Sequence, residues 1–257
     1  MKGKYIAVES IDGGGKGTIL KGFKKTHEDR GESVFDLEEQ WLNEDSYFKQ
    51  WFGTNNILPS YSFVKEKLKK EGIKPTAYIV AEPTFQNIGK FIREVAINKD
   101  NHKDFTPYMR INLYAQDREE LLSKFITPAL EDGKNVYSSR NVTSSLVYQS
   151  TELEEGFERI ASIPGNDFAM KNLPDHTIIS AISIDKSLSN LEKRGKNDDA
   201  FFENKDFQTK ILEKYLSNEL KDLLEEYGSK VHYFDISDNS TSEDTINNSK
   251  KLLENLK

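Results

Sequence analysis

A short apolar run, Tyr5-Ile6-Ala7-Val8, leads into the glycine-rich turn Ser10-Ile11-Asp12-Gly13-Gly14-Gly15-Lys16-Gly17-Thr18, and a helical pattern follows at once. A strand, a glycine loop and a helix in that order form a phosphate-binding loop in the setting it requires, and they commit the chain to an α/β fold. Three successive glycines let the backbone curl so that several N–H groups point inward at phosphate oxygens, and the helix starting near Lys16 adds the positive end of its dipole. Gly13, Gly14, Gly15, Lys16, Gly17 and Thr18 are therefore the expected nucleotide-binding residues, with Lys16 reaching the β- and γ-phosphates. The spelling departs from G-x-x-x-x-G-K-[ST] at two letters. Ser10 stands at the first glycine and Gly17 at the hydroxyl residue, which is displaced to Thr18. Taken alone, the loop also admits a plain glycine-rich turn with an exposed lysine.

Strand-length apolar runs alternate with helical patterns along the rest of the chain, the signature of a parallel sheet covered by helices. Strands are expected at Tyr5–Val8, Thr76–Val80, Asn135–Ser138, Thr177–Ile184 and Val231–Ile236, with a short extra one at Ser33–Leu37. Helices are expected from Lys16 to a stop at Gly31, up to Leu68, at Ile88–Ile97, Thr106–Leu130 and Leu153–Ala161, and at Glu243–Leu256. The last has Thr245, Ile246, Leu252 and Leu253 on inner positions. At 257 residues one large domain is the expectation. An aromatic stretch over about 38–75 holds both tryptophans and reads as packing or an oligomer surface.

Composition narrows the classes of function. A net charge of −7 argues against a general nucleic-acid or anionic-membrane surface, so phosphate must be held locally. The absence of cysteine excludes disulfides and thiolate metal sites, and His27, His102, His176 and His232 lack ligand spacing. The first residues run directly into a strand, and no apolar run approaches 18 residues, so a cytoplasmic location is expected.

The order of motifs resembles the thymidylate kinase family of nucleoside monophosphate kinases, and the resemblance runs from the phosphate loop to the final helix. Glu9 to Lys16 corresponds to E-x-I-D-G-x-G-K, and Ala81-Glu82-Pro83-Thr84 echoes R-E-P, followed by Ile88-Gly89-Lys90 and Arg93-Glu94. Tyr114-Ala115-Gln116-Asp117-Arg118 is similar to the aromatic-x-x-x-Arg helix that holds the thymine base. Ile126-Thr127-Pro128-Ala129-Leu130 leads to Gly133-Lys134, as in I-x-P-A-L-x-x-G-K, and Ser139-Arg140 stands where the family has Asp-Arg. Ser144-Ser145-Leu146-Val147-Tyr148-Gln149, Pro174-Asp175-His176-Thr177 and Leu191-Glu192-Lys193-Arg194-Gly195-Lys196 complete the series, the last resembling the start of a helical lid at about 190–205. The resemblance implies one domain over 1–257, a three-layer α/β/α P-loop fold with a five-stranded parallel sheet in the order 2-3-1-4-5, and a homodimer. It implies transfer of the γ-phosphoryl group of ATP to dTMP, yielding dTDP and ADP with Mg²⁺. A kinase for another pyrimidine monophosphate or a deoxynucleoside is the nearest alternative, and a degenerate nucleotide-binding regulator is another.

An acceptor that is already an ionised phosphate needs no strong base; the protein must align two anions and neutralise charge at the transferred group. Lys16 serves the donor, and Arg140 is placed by the resemblance at the acceptor phosphate, a surface salt bridge being its alternative. Tyr114 and Arg118 lie four apart and share a helix face. Their functional reading is a stacked ring and a guanidinium on a carbonyl that thymine and uracil have and cytosine lacks; the alternative is core packing with Arg118 paired to Glu82 or a neighbour. Asp12 resembles the residue beside the acceptor sugar and its 3′-hydroxyl, or it braces the loop. Ser145 and Tyr148 correspond to sugar-pocket positions, with packing the alternative for Tyr148. Thr18, and Glu9 through a water, are the metal candidates.

Three departures remove charge from this picture. Ala81 replaces an arginine, Ser139 an aspartate, and Asp199-Ala200-Phe201-Phe202-Glu203 lacks the lid arginine. Glu9 or Glu82 stand in as carboxylates, and Arg93, Lys193, Arg194 or Lys196 as cations. Arg194 is the expected catalytic lid residue because a guanidinium bridges two phosphate oxygens.

Overall fold

The computed structural model describes residues 1–43, 45–46, 57–98, 101–193 and 205–256. Six strands, β1 (Tyr5–Glu9), β2 (Val34–Asp36), β3 (Ala77–Ala81), β4 (Asn135–Ser139), β5 (His176–Ile182) and β6 (Lys230–Ile236), form one parallel sheet in the order β2-β3-β4-β1-β5-β6. β3-β4-β1-β5-β6 keep the expected 2-3-1-4-5 order, and β2, the short extra strand, joins at the β3 edge, so the expected count of five is corrected to six. Val34 to Asp36 pair with Ala77 to Ile79 and close the outer edge of β3, where buried Phe35 meets Tyr78 edge-on. Every residue of β1 and β3 is buried, as strands covered on both faces must be.

The helices are α1 (Lys16–Glu28), α2 (Leu37–Leu42), α3 (Tyr61–Lys70), α4 (Asn87–Phe91, continued by a π-helical stretch to Ala96) and α5 (Pro107–Leu121, continued through π-helical Leu122–Ile126 to Glu131). They are followed by α6 (Val142–Leu153), α7 (Phe157–Ala161), α8 (Pro164–Met170), α9 (Ile184–Lys193), α10 (Lys205–Tyr215), α11 (Asn218–Glu226) and α12 (Ser242–Asn255). The expected helix over Leu153–Ala161 is corrected: α6 ends at Leu153, Glu154 turns left-handed at φ 55°, and α7 starts after Gly156. The Thr143-Ser144-Ser145 segment hides α6 from a periodicity reading, and its start is fixed by Asn141, whose side chain accepts from Thr143 N–H at 2.8 Å. β5 stops at Ile182, two residues short of expectation, because Ser183 C=O already receives the N–H of Ser187.

Among the described residues of the 38–75 stretch, one face of α3 and Leu58 join the core while most of the others are exposed. Tyr61, Val64 and Leu68 of α3 are buried, with the Tyr61 ring edge-on to Tyr78 and Phe125. Trp51 lies outside the described residues. At the opposite flank α1 packs on α12, and a Cβ at Gly22 would lie 1.8 Å from Ser249 Oγ, so only glycine permits that approach. No helix among the described residues is long and apolar enough to cross a membrane. The carboxyl ends of β3, β4 and β1 are neighbours, and the segments that leave these three strand ends form the site.

Candidate active site

The loop after β1 bends at Gly13 (φ 72°) and Gly15 (φ 86°), both left-handed. The glycines also make room. A Cβ at Gly13 would lie 2.2 Å from Ser187 C=O, and one at Gly14 would lie 1.6 Å from Ser10 Oγ. Ser10, the residue in place of the first glycine, is fully buried and donates to Gly14 C=O at 3.2 Å, an acceptor it shares with Ser180 at 2.7 Å. Gly17 is different: a side chain there meets nothing within 4 Å. Lys16 Nζ folds back on the carbonyls of Ser10 (3.1 Å) and Ile11 (3.0 Å), and Thr18 is half-buried in the first turn of α1.

Arg140 follows β4 and faces this loop. Its φ of 75° is left-handed and costs a residue with a side chain on the order of 1–3 kcal/mol, here held by its N–H on Val8 C=O and by Ser138 Oγ on its own C=O. Its guanidinium pairs with Asp12, donates to Ser144 Oγ at 3.0 Å and lies over the Tyr148 ring, 5.1 Å from its centroid. Burial raises the Asp12 carboxyl, but Arg140 and Lys16 outweigh it and hold the group below its ordinary value. Tyr148 Oη donates to the other Asp12 oxygen at 3.3 Å, and its ring packs near Phe207 and Tyr215. Beneath them Glu9, fully buried, accepts from Asn141 N–H (2.6 Å), Ser144 Oγ (2.6 Å) and Tyr215 Oη (2.8 Å).

A second cluster lies on the β3 side. Arg118 of α5, 2% exposed, donates through Nε to Glu82 Oε2 (2.7 Å), through Nη1 to Asn166 Oδ1 (2.6 Å), and through Nη2 to Ser145 Oγ (3.0 Å) and Asn141 C=O (3.4 Å). Among the described residues four of its five N–H groups are thereby taken, leaving one on Nη1. Burial, opposed in part by Arg118 and reinforced by Asp117, pushes Glu82 up to about 7. Glu82 Oε1 is buried without a hydrogen-bond partner among the described residues. Asp117 accepts from Thr84 N–H (2.7 Å) and Oγ1 (2.6 Å), which pins the turn after Glu82-Pro83, and Arg93 donates to Pro83 and Thr84 carbonyls while its guanidinium stacks 3.9 Å over Phe85. Tyr114 of α5 is half-buried, and burial raises its hydroxyl to about 12 against the opposing fields of Arg140 and Arg93.

Residues 60–232 match the family model described as thymidylate kinase. The chain belongs to the thymidylate kinase family. It is 34% identical over 182 residues to the thymidylate kinase of Lactobacillus helveticus, covering 69% of this chain and 83% of that protein. Similarity to the thymidylate kinase of Mycoplasma mobile is 31% over 212 residues (82% and 81%), and to that of Thermoanaerobacter sp. strain X514 it is 28% over 238 residues (91% and 90%).

Against the thymidylate kinase pattern, Asp12, Glu82, Tyr114, Arg118, Arg140, Ser145 and Tyr148 converge on two adjoining clusters, and Lys16 stands beside the first. Ala81 is buried at the end of β3, and Ser139 uses its carbonyl to accept from Glu82 N–H at 2.9 Å. Arg194, Lys196 and Ala200 lie outside the described residues. The Arg118–Glu82 pair that the sequence left open is formed. Asn141, Asn166, Gln208 and Tyr215 were not singled out in the sequence, and Asp117 and Ser144 only as letters of motifs. They are polar residues brought in from α6, α8 and α10, and no spacing connects them to the loop.

Proposed function

We propose that this chain is an ATP:dTMP phosphotransferase, producing dTDP and ADP. The observation that carries the reading is the meeting of Lys16 with the Arg140–Asp12 pair at the ends of adjacent strands, in a chain of the thymidylate kinase family. Gly13, Gly14, Gly15, Gly17 and Thr18 cradle the ATP phosphates with Lys16, whose two carbonyl contacts are exchanged for phosphate oxygens. Arg140 holds the acceptor phosphate, and Lys16 and Arg140 offset the negative charge of the two phosphates as they approach. Tyr114 stacks on the base while the remaining Nη1 hydrogen of Arg118 donates to its carbonyl; Ser145 and Glu82 fix that guanidinium. Asp12 and Tyr148 line the sugar. Arg194 is the proposed lid cation.

Mg²⁺ at such a site takes its ligands chiefly from phosphates and waters, with one or two protein groups. The donor set fits that mode through a single hydroxyl, that of Thr18, half-buried in the first turn of α1 two residues after Lys16. Thr18 Oγ1 would hold the ion, and Glu9 offers at most an unshared lone pair on Oε1 to a metal-bound water. When bound, the ion supplies charge neutralisation on the β- and γ-phosphates.

We read the chain as one cytoplasmic domain that pairs as a homodimer. An apolar groove between α4 and α5, lined by Phe91, Phe105, Tyr108, Met109 and Leu113, supports the dimer. A coupled ADP-release assay across dTMP, dUMP, UMP, dCMP and thymidine tests the reading. Preferred turnover of dTMP is expected; binding of ATP with turnover of no acceptor refutes it and leaves a regulatory role.

A further inference from the structure

Two helices flank residues 194–204, and each places a side-chain amide on the phosphate loop. From α9, Asn190 Nδ2 donates to Gly13 C=O at 2.9 Å, where the Ser187 carbonyl also presses on Gly13. From α10, Gln208 is completely buried and takes Asp12 at two points. Its Oε1 accepts from Asp12 N–H at 3.2 Å, and its Nε2 donates to Asp12 Oδ2 at 3.5 Å. Arg140 holds the other oxygen, Oδ1. The carboxylate is thus gripped from both sides, and its rotation about the Cβ–Cγ bond is set by Gln208 and Tyr148 on one oxygen and by Arg140 on the other.

The Asp12 N–H is thereby taken up by Gln208, which sets residue 12 apart from Gly13 to Thr18, the residues read as the phosphate cradle. Phe207 and Tyr215 of the same helix pack against Tyr148, and Tyr215 donates to Glu9, so α10 reaches the acceptor side through three further contacts.

We propose that Gln208 is a positioning residue for the acceptor: by holding both the amide and the carboxylate of Asp12, it fixes the direction in which Asp12 accepts from the sugar 3′-hydroxyl. The inference rests on the dTMP kinase reading and on Asp12 as its sugar-side residue. An apolar replacement takes away both contacts from α10 and leaves the carboxylate free to swing toward Arg140. A glutamate at the same place keeps an acceptor for the N–H but sets a second carboxylate against Oδ2, and an asparagine is too short to span both atoms.

The test compares dTMP with its 3′-deoxy analogue as acceptors for the full-length protein. In Gln208→Leu, kcat/KM for dTMP should fall roughly tenfold, the worth of a hydrogen bond to a charged group, while kcat/KM for the 3′-deoxy acceptor and KM for ATP stay unchanged. Asp12→Asn should erase the same preference, and the double variant should be no worse than the poorer single one. Gln208→Glu, near-isosteric, keeps the acceptor for the Asp12 N–H and loses only the donor to Oδ2; it should lie between wild type and Gln208→Leu and serves where the leucine variant does not fold. An equal loss on both acceptors, or no loss on dTMP, overturns the proposal while leaving the kinase reading intact. Absence of dTMP turnover in the unaltered protein overturns both.

Discussion

Replacing Glu82 by glutamine should flatten the acid side of the stability profile. Burial is the main cause of the rise of Glu82 from 4.5 to about 7, with Arg118 opposing it and Asp117 adding to it. A native acid with a raised value keeps a proton that the unfolded chain has already released, so stability from this group is full below about 4.5, falls as pH rises, and is lost above about 7. At about 1.4 kcal/mol for each tenfold change in proton affinity, the displacement amounts to roughly 3 kcal/mol. Glutamine keeps the shape and removes the titration. Relative to wild type, Glu82→Gln should therefore gain about 3 kcal/mol between those two pH values. Urea unfolding followed by circular dichroism at half-unit pH steps measures it, and the difference between the two proteins cancels other groups such as His176. Arg118→Met at pH 8 would leave Glu82 without the donor to Oε2, beside an already partnerless Oε1, and should cost about 3–5 kcal/mol. Gln at position 82 in the double variant should recover most of that loss. Parallel pH profiles for wild type and Glu82→Gln would refute the reasoning, because the proton would then reside elsewhere.

Lys16→Ala should abolish most phosphoryl transfer while the thermal midpoint stays near wild type, since the side chain is half-buried and a water in its place can donate to the two loop carbonyls; wild-type turnover would remove the loop from the mechanism. Gly17→Ser, which writes the hydroxyl into its usual place, should change stability by less than about 0.5 kcal/mol because the position is open, whereas Gly14→Ala, 1.6 Å from Ser10 Oγ, should cost more than about 1 kcal/mol and weaken ATP binding. Equal melting of the two variants would contradict the packing of the loop. Burial, His232 and Lys4 push His176 down to about 4, so the unfolded chain takes up a proton first, and stability should fall as pH drops from 6.5 toward about 4. His176→Gln should lessen that fall, and an unaltered acid limb would count against it.

The loop and the strands themselves were legible because each has a local signature, glycine spelling or an apolar run, and α5 because no glycine or proline interrupts Tyr108 to Thr127; the order of the strands came only from the family resemblance. The edge strand β2 was visible as a short run, but its membership of the sheet depends on Tyr78 and Phe35 meeting across it. α6 escaped notice because Asn141 starts it and buried hydroxyls line it, which gives no apolar stripe. In the site, Tyr114 and Arg118 could be paired from their spacing, yet the spacing was silent on how much of Arg118 is spent on Glu82, Asn166 and Ser145. Glu9 illustrates the limit best. Its place before the loop reads as metal chemistry, while its three donors come from Asn141, Ser144 and Tyr215, far away in the chain.

The central position of β1 has a consequence for how the molecule is made. Tyr5 pairs with Val136 on one side and Ile6 with His176 on the other, so the strand that launches the nucleotide loop has no neighbour when it leaves the ribosome. α1 then rests against α12, where Lys250 reaches Asp29, at the far end of the chain. The strand that carries the loop is made early and assembled late, since a buried apolar strand stays unpaired until Val136 and its neighbours have been synthesised. Until then the loop has no sheet beneath it, and Tyr5 to Val8 lie open to pairing with other strands.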